Sequence, residues 1–460
     1  MVFSGLTFLF LFLPVTLILY YIVPFRFKNA VLMVMSLIFY AWGEPIYVLL
    51  MIYSIVMNYA VGLMMDRESD HKKSILVFGI VLNLFILGFF KYFGFLVDNL
   101  NSLFGLNIHA KKLALPVGIS FYTFQALSYI IDVYRGKVKS QKNIVNFATY
   151  ITMFPQLIAG PIVRYGDICK EFDKRFITLY SFGRGALRFV FGLAKKVLLA
   201  NLLGEMFEEI AAYGSGVSTV TAWLGAICYT LQIYFDFSGY SDMAIGLGRM
   251  MGFTICENFN YPYVSKTVTE FWRRWHMSLS GWFKEYVYIP LGGNRVSALK
   301  HVRNILIVWL LTGLWHGAAW NFVVWGLYYA ALLLLEKYVT SKFKLPGWLT
   351  YIFTIVLVII GWVIFSADSL GAAGVTVASM FGFAANGFVD KVGVYYLLTG
   401  GILIVIGVFF SMPVVGTIQK KLKKSMAGCT FLYIFAMALF VCCVIYLVTG
   451  NYNPFLYFRF

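Results

Sequence analysis

Long apolar stretches alternate with short polar interruptions along this chain, and their spacing predicts helices that cross a membrane. The clearest runs are Leu6 to Val23, Ile75 to Phe90, Ile305 to Leu335, Tyr351 to Phe365 and Phe431 to Val448. Most are close to the roughly 20 residues that a helix needs to traverse hydrocarbon. The first run lacks a basic flank and a small-residue cleavage site, and further apolar runs follow at once, so it reads as a retained span. A hairpin is expected to turn at Gly43-Glu44-Pro45. Between about Ile144 and Arg303 the runs are short and interrupted at Pro155, Gly160-Pro161, Gly239 and Gly292-Gly293. Irregular backbone at membrane depth is tolerated only beside protein or a water-filled cavity, so this region predicts re-entrant helices around a central chamber. Together these elements predict an all-α, polytopic integral membrane protein, with residues 1–460 forming one transmembrane domain without a fixed repeat or a linker.

Composition excludes a soluble reading. Of 460 residues 61% are hydrophobic and 12% charged, with a mean hydropathy of +0.80, whereas a soluble domain carries about 25% charged residues. The six cysteines lie mostly in apolar stretches and show no CxxC or zinc spacing, so neither a disulfide framework nor a metal site is expected. The net charge of +17 is assigned to membrane orientation and not to nucleic acid, because Lys and Arg gather in cytoplasmic loops. Arg26 and Lys28 follow the first run, Arg67, Lys72 and Lys73 follow the hairpin, and Lys420, Lys421, Lys423 and Lys424 precede the last run. This pattern starts the chain outside and delivers its tail, residues 450–460, to the outer face.

Ionisable residues inside membrane segments are expensive, so each marks a candidate site. The first candidate is His316, within Leu314-Trp315-His316-Gly317-Ala318 in the run from Ile305 to Leu335. A neutral imidazole can take a hydroxyl proton at physiological pH without a buried permanent charge. A core histidine bonded to a carbonyl is the plainer reading, and the flanking Gly313 and Gly317, which allow a ligand or backbone to come close, weigh against it. The second candidate runs from Asn260 and Tyr261 through Arg273-Arg274-Trp275-His276. Arginine forks match phosphate oxygens and aromatics stack on rings, so this block could hold a phosphopantetheine or nucleotide group, or else anchor a helix at the headgroups. The third holds Asp236 and Asp242 around Gly239 at the expected end of a span, where pairing with Arg273 or Arg274 is expected. Gln156 is a further candidate for the chamber lining.

The blocks FNYPY, TEFWRRWHMSLSGWFKEYVYIPLGGNR and LLTGLWHGAAWNFVVWGLYY, preceded by LPVGISFYTFQALSYIIDVYRG and FPQLIAGPIVRY, closely resemble the membrane-bound O-acyltransferase family. Within it they most resemble its bacterial polysaccharide O-acetylation branch, over most of the chain. The resemblance implies about 11 membrane-spanning helices plus re-entrant helices around a central pore. It places His316 at the catalytic position and His276 at the second family histidine. It also implies a cytosolic acyl thioester as donor, acetyl-CoA or an acyl carrier thioester, with no bound cofactor. The location it implies is the bacterial cytoplasmic membrane, with both termini extracytoplasmic.

The chain ends in Phe455-Leu456-Tyr457-Phe458-Arg459-Phe460, which is similar to the FxYxxF motif on which related systems carry the acyl group. A phenol ester keeps transfer potential because a phenolate is a good leaving group, so Tyr457 is a third catalytic candidate. The expectation is that His316 deprotonates the acceptor hydroxyl. An extracytoplasmic SGNH or esterase-like acetyltransferase partner, implied by the resemblance alone, would then pass the acetyl group to a polysaccharide. A transporter or flippase of a polysaccharide secretion machine would also explain broken helices and a chamber, but it has no chemical need for His316.

Overall fold

The computed structural model describes residues 1–67, 70–109, 114–158, 160–214, 216–343, 345–450, 452–454 and 456. Among them every regular element is helical, and the chain has the all-α, polytopic architecture that its apolar runs predict. Among the described residues six helices are long and apolar enough to cross a membrane: Tyr47–Arg67, Lys72–Phe104, Trp320–Lys342, Gly347–Ser366, Lys391–Phe410 and Met426–Thr449. Their outer faces expose large apolar side chains, such as Leu398, Ile402 and Val405 on one helix and Ile434, Met437 and Val441 on another. Water would penalise so much exposed hydrocarbon, whereas lipid does not.

The chain folds as two compact units, residues 1–189 with 241–256 and residues 190–240 with 257–460. In the first unit the N-terminal run forms a π-helical turn, Phe8–Phe12, that continues into Leu13–Ile22. Its rings pack with Phe39 and Phe154, the centroids of Phe12 and Phe154 lying 5.4 Å apart edge to face. The predicted turn is present, because Phe25–Gly43 ends at Glu44 and Tyr47–Arg67 begins just beyond Pro45. Asn58 and Asn83 exchange amide hydrogen bonds of 3.1 and 2.8 Å between neighbouring buried helix faces, the kind of polar contact that fixes helix register in lipid. Asp242 pairs with Arg188 at 2.8 Å, which replaces the expected pairing with Arg273 or Arg274.

The second unit differs from the sequence expectation in two places. Gly239 does not end a span, since the helix Thr219–Met250 runs straight through it. Its lack of a side chain serves packing instead, as a Cβ there would lie 2.7 Å from the Gly192 carbonyl oxygen and 3.1 Å from the Lys196 nitrogen. The run from Ile305 to Leu335 is two helices, Ala298–His316 and Trp320–Tyr338, joined by extended backbone at Gly317 and Ala319. The two cross nearly backbone to backbone: a Cβ on Gly313 would lie 2.3 Å from the Phe322 carbonyl oxygen, and one on Gly326 2.3 Å from that of Trp309. Gly317 likewise admits the Phe322 ring. The glycines flanking His316 therefore accommodate the protein's own chain, and His316 sits at the end of a helix rather than in the middle of a span. Gly292-Gly293 do interrupt helices, at φ of 100° and 59°, whereas Pro155 of the first unit stands in the first turn of Phe154–Leu157, just after a break at Met153.

Candidate functional site

The sequence between Asn258 and His316 folds locally so that two imidazoles and a tryptophan meet in the second unit. Thr267 caps the helix Val268–Arg274 by accepting from the Glu270 amide. The chain then turns sharply, because His276 has a φ of 43°, in the left-handed region that non-glycine residues avoid. Strain of this kind persists only where surrounding contacts hold it. The contacts are clear: the Asn258 side-chain oxygen accepts from the Ser278 amide at 3.2 Å and its hydroxyl at 2.9 Å, with His276 Nδ1 at 3.1 Å. An amide oxygen can only accept, so His276 Nδ1 carries the proton toward Asn258 and Nε2 is left with the lone pair. The His276 ring meets Phe237 edge to face at 4.6 Å and Trp315 at 5.9 Å.

His316 is the last residue of its helix and is buried. Three rings fix the imidazole edgewise, Trp315 at 5.0 Å and Trp325 and Phe365 each at 5.1 Å. Aromatic edges and faces orient a ring without charging it. His316 opens on a small cavity whose wall also includes Asp236, Phe237, Trp275, Trp362 and Leu456. The wall is largely apolar, with an imidazole on one side and a carboxylate on another, an arrangement suited to moving a proton to or from a small reacting group.

The other sequence candidates divide. Trp275 lines the cavity with His316. Arg273 is exposed and Arg274 pairs with Glu270 at 2.9 Å within one helix. The Lys266 backbone amide, against partial burial and with help from Arg274, holds the Glu270 carboxyl below the usual carboxylate range. Arg274 also donates to the Asn260 carbonyl at 3.1 Å, and the Asn260 amide donates to the Arg274 carbonyl at 2.9 Å. Tyr261, at a φ of 48°, has its hydroxyl beside Gly416. None of these four is a wall residue of the His316 cavity. Gln156 belongs to the first unit, buried, donating to the Tyr150 carbonyl. Tyr457 lies outside the described residues.

Asp236 is a wall residue, but its cationic partner is neither Arg273 nor Arg274. It pairs at 2.6 Å with Lys196, and both side chains are almost wholly buried. Lys196 stands in a π-helical turn, Lys195–Ala200, that follows Leu179–Ala194; such one-turn bulges recur at functional sites. The pairing depends on the Gly239 contact. Gly239→Val is therefore expected to push the two helices apart and destabilise the protein by about 1–3 kcal/mol, read as a lowered thermal midpoint in detergent. Lys196, Leu456, Trp362, Phe365 and Asn258 were not candidates from the sequence. Lys196 carried a signal, an ammonium within the apolar Phe191-Gly192-Leu193-Ala194 to Val197-Leu198-Leu199 stretch.

A model of the membrane-bound O-acyltransferase family (MBOAT) matches residues 138–372, a range that contains Asp236, His276 and His316. The probable alginate O-acetylase AlgI of Azotobacter vinelandii is 40% identical over 500 aligned positions, covering 100% of this chain and 100% of that protein. The peptidoglycan O-acetyltransferase of Helicobacter pylori is 35% identical over 421 positions, covering 83% of this chain and 80% of its own. The teichoic acid D-alanyltransferase of Bacillus subtilis is 30% identical over 246 positions, covering 51% and 62%.

Proposed function

This chain belongs to the membrane-bound O-acyltransferase family, and from that premise we propose that it takes an acetyl group from a cytosolic thioester and passes it outward through Tyr457 for O-acetylation of an envelope or secreted polysaccharide. The chain is a multi-pass membrane O-acyltransferase. The finer reading rests on one observation. Leu456 lines the same cavity as His316, and Tyr457 follows it directly in the sequence.

In the proposed reaction His316 removes the phenol proton of Tyr457 as its oxygen attacks the thioester carbonyl. The carbon–oxygen bond forms, the carbon–sulfur bond breaks, and the departing thiolate takes the proton back from His316. One base thus serves both halves of the transfer. His276, held by Asn258, supports the wall through Phe237 and Trp315. The exposed Arg273 is assigned to the donor's phosphates at the inner face, in keeping with the bidentate match of guanidinium and phosphate, whereas Arg274 is committed to Glu270 and the Asn260 carbonyl. Both termini are assigned to the outer side of the cytoplasmic membrane from the loop charges. An esterase-like partner outside the membrane is the expected consumer of the acyl-tyrosine, as the names of the alginate and peptidoglycan relatives suggest a polysaccharide acceptor.

The donor is tested by incubating purified protein with acetyl-CoA or with an acetylated acyl carrier protein and following free thiol. Thiol release from acetyl-CoA is the expected result. Release from the carrier protein alone would replace coenzyme A as donor, and release from neither would remove the thioester step.

A further inference from the structure

A buried ion pair contributes little net stability, because removing two charges from solvent offsets most of their attraction. The Lys196–Asp236 pair is buried to that degree, with side chains 4% and 3% exposed. Each partner, however, also makes a hydrogen bond to one further segment of the chain. Lys196 Nζ donates to the Pro454 carbonyl, and Asp236 Oδ2 accepts from the Leu456 amide at 3.0 Å. The same helical stretch ties down the residues just before: Asn201 donates to the Asn453 side chain at 3.2 Å, and a Cβ on Gly204 would lie 2.9 Å from the Tyr452 hydroxyl. Residue 454, a proline, can supply only an acceptor, and residue 456 meets the carboxylate through its amide donor. The ammonium faces the acceptor and the carboxylate faces the donor.

We propose that the Lys196–Asp236 pair is a latch that grips the C-terminal segment by its main chain and seats Leu456 in the His316 cavity, making the two charges positioning residues for transfer to the tail. The consequence for transfer rests on the acyl-tyrosine reading; the latch itself does not. Because the grip is on backbone atoms, it is polarity that matters and not the identity of the side chains gripped. Exchanging the charges, Lys196→Asp with Asp236→Lys, preserves an ion pair inside the helix packing but sets acceptor against acceptor at Pro454 and donor against donor at Leu456. A pair serving only to hold helices together would survive that exchange.

The test is hydrogen exchange, read by mass spectrometry on the peptide from Tyr452 to the C-terminus of the full-length protein in detergent, with acetyl label from labelled acetyl-CoA measured on the same peptide. A second variant, Lys196→Met with Asp236→Leu, removes both charges without stranding either and covers the case in which the exchanged pair does not fold. The latch predicts that the Leu456 amide exchanges on the order of 100-fold faster in the variant, with C-terminal label down at least about tenfold. Equal protection in wild type and variant would overturn the latch. Faster exchange with undiminished label would overturn its positioning role. Absence of label from wild type would remove the acyl-tyrosine reading, and the exchange rates would still decide the latch.

Discussion

His316→Ala is expected to slow thiol release from acetyl-CoA by about 10²- to 10⁴-fold, the usual contribution of a positioned general base. The imidazole is fixed edgewise by Trp315, Trp325 and Phe365, and alanine would leave the reacting oxygen with no base aligned to it. Two of those rings also pack against each other, Trp325 lying 5.3 Å from Phe365, so the cage does not depend on the imidazole alone. The unfolding midpoint of His316→Ala is therefore expected to fall far less than its activity. Thiol release at the wild-type rate would remove His316 from the chemistry and return it to the role of a packed core histidine.

Gly313→Leu is expected to have the largest effect on the fold, a loss above about 3 kcal/mol. A Cβ alone would lie 2.3 Å from the Phe322 carbonyl oxygen, and that obstacle is backbone, which cannot rotate away. The helices Ala298–His316 and Trp320–Tyr338 would have to separate along their closest contact, and overpacking of this kind has no cheap relief. Activity would go with it, because His316 is carried on the next turn and displacements of about 1 Å can cost on the order of 10²-fold in rate. The matched control is Gly401→Leu on the helix Lys391–Phe410, where a Cβ meets nothing within 4 Å. Thermal unfolding in detergent should separate the two variants clearly; a wild-type midpoint for Gly313→Leu would contradict the close crossing.

The helical membrane architecture was legible because hydrocarbon imposes one rule on every span, and runs such as Phe431 to Val448 obey it along their length. Breaks were harder to read. Glycine reads as an interruption at Gly239, where it admits a neighbouring helix instead, and as room for a ligand or backbone at Gly313 and Gly317, where it is the protein's own chain that comes close. Close packing and chain breaking use the same residue, and only the partner helix distinguishes them. Charge partners failed for a related reason. Asp236 and Asp242 were given to the conspicuous Arg273 and Arg274, but Arg274 had a partner one helical turn away in Glu270, while Lys196 and Arg188 reach the two aspartates across helix packing. His316 and His276 were legible as family histidines; that they share contact with one tryptophan ring was not, since it depends on the left-handed turn at His276.

The central claim is that an acetyl group passes from a thioester to the tail under the action of His316. Intact-protein and peptide mass spectrometry of wild type and His316→Ala after incubation with isotopically labelled acetyl-CoA tests it most directly. The account predicts one labelled acetyl group on Tyr457 in wild type and none in His316→Ala. Label on another residue, or thiol release from wild type with no label on Tyr457, would contradict it.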